Sequence, residues 1–131
     1  MRTTNFPNGI DSFLIDSNAV SKVAAYTVVI TTDSGTTFTN GETDGVVFTL
    51  PGIAIGNTVT FVNTGLDGTA DLTISPNASD GITYAGSSTD NKDLILTKTT
   101  SKTGDYVTLA SLDGVVAWQV VDVRGIWTKE A

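Results

Sequence analysis

Histidine and cysteine are both absent from the 131-residue chain, and each absence removes a class of chemistry. Without cysteine there are no disulfides and no thiolate metal sites, so packing, sheet hydrogen bonds or oligomerisation must stabilise the fold. Without histidine, general acid-base work at neutral pH falls to an Asp or Glu whose pKa burial would have to lift. Basic residues are few, 7 against 14 acidic, leaving a net charge of -7. Such a field repels nucleic acid and anionic membranes unless a basic patch overcomes it, and the seven Lys and Arg are scattered, so neither is expected as a partner. No apolar run approaches the roughly 18 residues of a membrane span, and "MRTTNFPNGI" lacks the apolar core of a signal peptide. Synthesis in the cytoplasm is the expectation.

Strand signals and turn signals alternate closely along the chain. "AAYTVVIT" (24 to 31) is β-branched and aromatic and runs into the turn composition "TDSG". "TTFTN" (36 to 40), "GVVFTLP" (45 to 51) and "NTVTFVNT" (57 to 64) follow; the last has period two, with Val59, Phe61 and Asn63 on one face. "ADLTISP" (70 to 76) places Leu72 and Ile74 together and ends at Pro76, which cannot donate to a ladder. "GITYAG" (81 to 86), "LILTKT" (94 to 99), "DYVTLAS" (105 to 111) and "VVAWQVVDV" (115 to 123) complete about nine strands, the last two folded about Asp113-Gly114 as a hairpin. Helix is confined to one turn at most, within residues 11 to 26. The expected fold is all-β, a small antiparallel β-sandwich or jelly-roll-like barrel with an extended N-terminal arm. The arm spans 1 to 22, the β domain 23 to 123 and a C-terminal tail 124 to 131.

The search for a reaction centre finds little. Asp33, Asp44, Asp67, Asp80 and Asp113 lie in D-G or turn contexts, where a carboxylate caps its own turn. Serine has no base to activate it, no nucleophile-elbow or phosphate-loop motif occurs, and no pair of acids can be named for glycoside hydrolysis. The oxygen-rich loops 66 to 71 and 79 to 93 do not follow the EF-hand spacing. The chain is therefore expected not to be an enzyme and to need no cofactor or metal.

Phe48, Phe61, Tyr106 and Trp118 alternate with smaller residues inside strands and read as core. Trp127, in the tail "VRGIWTKEA", either folds back over an open barrel end or meets a neighbouring protomer, and is taken as an oligomer contact. The arm "MRTTNFPNGIDSFLIDSNAVSK" carries Phe6, Pro7, Ile10 and Phe13 without helical or strand period. It either lies along its own domain or orders on a partner surface.

The succession "DSGTTFTN", "GVVFTLPG", "GNTVTFVNTG", "ADLTISP", "DGITYAG" and "GDYVTLASLDGVVAWQVV" resembles the small β modules of tailed-phage structural proteins over residues 26 to 121. That family includes capsid decoration (cement) proteins, head fibres and tail fibres. The resemblance implies a homotrimer on the outer surface of a virion, made in the host cytoplasm, that binds the major capsid protein and stabilises the shell. Arg2, Phe6, Pro7, Ile10 and Phe13 are the expected capsid contacts. The alternative is a receptor- or glycan-binding module of a tail or head fibre, in which Tyr84 stacks on a sugar.

Overall fold

The computed structural model describes residues 18–113 and 116–131, so the Gly114 half of the hairpin corner lies outside the described residues. Among the described residues the chain forms β1 (Ala19–Ser21), β2 (Tyr26–Thr27), the single-turn α1 (Ile30–Asp33), β3 (Thr37–Thr39), β4 (Val46–Thr49) and β5 (Thr58–Val62). There follow β6 (Leu72–Ser75), β7 (Gly81–Thr83), β8 (Leu94–Leu96), a 3-10 turn (Lys98–Thr100), β9 (Tyr106–Ala110), β10 (Ala117–Arg124) and β11 (Trp127–Lys129). One sheet has the order β1-β3-β5-β9-β10-β7 and the other β11-β8-β6-β4-β2. The two pack face to face over a common apolar core, which is the expected all-β sandwich.

The strand senses differ from expectation. β1, β3 and β5 are parallel neighbours in one sheet, and β2, β4 and β6 are parallel neighbours in the other. Consecutive strands alternate between sheets from β1 to β9, so the chain winds as a flattened coil with one strand per sheet in each turn. Parallel neighbours need a long crossover, and here the crossover contains the strand of the facing sheet. β5, β9 and β10 are antiparallel, as are β6, β8 and β11, and β7 joins β10 in parallel. The sandwich is therefore mixed rather than antiparallel throughout, because residue alternation sets which face is buried but not the direction of the partner.

Each winding contributes inward aromatics. Phe38 and Phe61 are register partners with ring centroids 5.8 Å apart, and Phe48 reaches across from the facing sheet to 4.8 Å from Phe61. Tyr26 extends the cluster, 5.3 Å from Phe38. Leu72 and Ile74, read as one face of a strand, are both fully buried. Trp118 is fully buried as well, and its Nε1 donates to the Pro51 carbonyl at 3.3 Å. Among the described residues the buried Ser111 hydroxyl has no side-chain hydrogen bond, but the amides at the core margin are partnered. Asn40 and Asn63 follow paired ends of β3 and β5; Asn40 Nδ2 donates to Asn63 Oδ1 at 2.8 Å, and Asn63 Nδ2 donates to the Lys102 carbonyl at 3.0 Å.

The run 24 to 31 is a strand for only two residues. It then turns into α1, because the Asp33 carboxylate accepts from the Val29 backbone N–H at 2.7 Å and from the Tyr26 hydroxyl at 2.8 Å. Those bonds outweigh the β preference of Val29 and Ile30. Two segments set apart as arm and tail also supply strands. Ala19–Ser21 pairs with β3, and Trp127–Lys129 pairs with β8, each at a sheet edge.

Candidate functional site

The sheet registers define two ends of the sandwich. At the proximal end Thr37 N donates to the Asn18 carbonyl, Gly35 N to Thr58 and Gly56 N to Ser111, so the chain joins the fold beside loops 51 to 57 and 111 to 116. Ile55, Leu112 and Val116 are exposed apolar side chains in those two loops. Ile55 and Leu112 flank the Gly56 to Ser111 hydrogen bond directly. Arg2, Phe6, Pro7, Ile10 and Phe13 lie outside the described residues, before Asn18 in the sequence.

The distal end is knitted by carboxylates. Asp44 accepts from the Asp71 backbone N–H at 2.8 Å and from Lys98 Nζ at 2.6 Å, while Asp71 Oδ1 accepts from the Lys98 backbone N–H. Asp67 accepts from the Thr103 N–H at 2.9 Å and lies 3.4 Å from Lys102 Nζ. The hydrogen bond from Lys98 holds the Asp44 carboxyl below its ordinary value, and the Thr103 N–H does the same for Asp67. Of the five aspartates read as turn caps, Asp33 and Asp113 bond within their own turns, Asp113 accepting from Val116 N at 3.3 Å. Asp44, Asp67 and Asp80 instead tie one loop to another, Asp80 accepting from Ile53 N at 3.0 Å. Among the described residues no group of three or more Asp or Glu is arranged to hold a metal ion.

Trp127 is not a surface residue. It is only 5% exposed, packs in the chain's own core, and its Nε1 donates to the Arg124 carbonyl at 3.0 Å. Its ring cannot serve as the expected oligomer contact while β11 stays paired, and of the two positions considered the folded-back one is found. The turn behind it depends on Gly125, with φ +102°, where a Cβ would overlap the Asp105 carboxylate.

Tyr84 does line a concavity. β7 accompanies β10 for three residues and then leaves it. Tyr84 and Ser87 exchange both backbone hydrogen bonds, at 2.9 and 3.0 Å, around Ala85 (φ 52°) and Gly86 (φ 84°). Two successive positive φ values mark a type I′ turn. β10 continues beyond Gln119, bulges between Val120 and Asp122, and remains paired with β9 alone. The space between is a groove of about 470 Å³ lined by Thr83, Tyr84, Ala85, Gln119 and residues 120 to 123. Asp122 is anchored by the Tyr106 hydroxyl, which donates to its Oδ2 at 3.0 Å; that bond raises the Tyr106 pKa above its ordinary value. The sequence singled out Tyr84 as a sugar contact. Gln119 and Asp122 could not be read as its neighbours, because the parallel β7–β10 pairing that assembles them spans more than thirty residues.

No family model matches the chain, and no curated protein matches it.

Proposed function

We propose that the protein is a structural component of a tailed-phage particle, attached to the outer surface of the capsid as a decoration protein and stabilising the shell. The observation that carries this reading is the layout of the proximal end. The segment bearing Phe6, Ile10 and Phe13 leads into the fold beside the exposed Ile55, Leu112 and Val116. An apolar segment of sequence that enters the fold beside an exposed apolar end suits attachment to a larger surface. The segments that carry the phage-module resemblance supply most of the inward side chains of the sandwich, with Val28, Leu94, Leu96 and Trp127 coming from outside them.

On this reading the protein acts as a clamp across subunit junctions. Binding only the assembled shell, it stabilises the shell by mass action, and a trimer multiplies the modest area of each arm by avidity. The test is co-sedimentation with empty shells. The full chain should pellet with them and a chain lacking residues 1 to 15 should stay in the supernatant while keeping its β circular dichroism. Equal pelleting of the truncated chain would overturn the reading.

A further inference from the structure

The geometry points to a second binding site, independent of the attachment end: we propose that the groove between Tyr84 and the bulged edge of β10 binds a neutral saccharide unit. Three observations converge on it. Its lining combines an aromatic residue with an amide, a carboxylate and a hydroxyl, from Tyr84, Gln119, Asp122 and Thr83. Sugars offer this set both of the things it can use, C–H bonds for the face of a ring and vicinal hydroxyls for donors and acceptors. The volume of about 470 Å³ is that of a small-ligand site.

The groove is also preorganised. Tyr84 is fixed by two backbone hydrogen bonds to Ser87, and Ala85 holds a left-handed conformation that is strained for an L-residue. Strain of that kind persists where the surroundings over-determine it, and it often accompanies binding sites. Asp122 is oriented by the Tyr106 hydroxyl on one oxygen.

The other occupant for such an edge is an added peptide strand. The backbone of residues 120 to 124 has no strand on the side away from β9 among the described residues. The register shift between Val120 and Asp122 interrupts the repeat of donors and acceptors that strand addition needs. The Tyr84–Ser87 turn also closes the line along which an added strand would continue. Both features weigh against a peptide ladder and leave isolated donors and acceptors, which suit a small polyhydroxylated ligand.

Saturation-transfer NMR on the full chain tests this with glucose, galactose, mannose, N-acetylglucosamine, N-acetylgalactosamine, lactose, cellobiose and maltose. At least one should receive saturation and shift amides within 83 to 86 and 119 to 123. Tyr84→Ala should weaken that binding about tenfold, the scale of one lost aromatic contact plus its ordering. Because Tyr84 also packs on the core, Asp122→Asn and Gln119→Ala serve as folded controls, each expected to weaken binding severalfold. The proposal is overturned if no saccharide in the panel binds, if shifts map elsewhere, if the folded variants keep full affinity, or if only an extended peptide shifts the β10 amides. Shell attachment can fail without touching any of these readouts.

Discussion

Asn63 was readable as an inward residue from the alternation of "NTVTFVNT", and its full burial with partners on every side shows why an amide is tolerated there. Removing it strands the Gly65 N–H, while Asn40 Nδ2 keeps its bond to the Thr43 carbonyl and the Lys102 carbonyl keeps the Asp105 N–H. Asn63→Ala should therefore cost about 1–3 kcal/mol in urea unfolding, the scale of one buried polar group left unpaired. Phe61, which touches two other rings, should cost about 3–5 kcal/mol on truncation to Ala. Gly125→Ala should destabilise comparably to Asn63→Ala, because a β-carbon both strains the positive φ and displaces the buried Asp105 carboxylate. Equal urea midpoints for wild type and Gly125→Ala would show that this turn relaxes freely. Trp127 marks where residue-level reading stopped. Its burial depends on β11 pairing with β8, a contact across thirty residues that no local pattern encodes.

The elements were largely visible as period-two runs bounded by Gly, Asp and Pro, and the buried faces of β5, β6 and β9 follow that alternation. What was hidden is their direction and their wiring. The coil of β1 to β6 arises from which sheet each strand joins, a choice made by crossovers rather than by any one segment. The loops that hold the coil together make a pH prediction. Asp44 and Asp67 have folded pKa values below their ordinary 3.8, so the unfolded chain takes up protons first on acidification. Their contribution is full above that ordinary value and is lost as pH falls through the lowered folded ones. Thermal unfolding followed from pH 6 to pH 2 should show a falling acid limb, and Asp44→Asn should flatten it. Lys98, raised from 10.5 by the same Asp44, contributes below its ordinary value and loses that contribution as pH rises through the raised one. The Asp44→Asn variant should therefore also lose less stability on the alkaline side.

For the whole molecule, the proposed reading makes a sandwich with a net charge of -7 a surface-mounted part. The resemblance implies three copies. Size-exclusion chromatography with light scattering should then give three times 13.6 kDa for the full chain. The groove beside β10 lies at the sheet edge formed by β7, the edge opposite β1, so on the proposed reading a mounted protein would still present it to solvent. The most direct test of the central claim is the shell-binding comparison, made by sedimenting empty capsids lacking this protein with the full chain and with the chain lacking residues 1 to 15. Saturable pelleting of the full chain, lost on truncation with the β fold intact, is the predicted result. A full chain that stays in the supernatant at every concentration would contradict the account.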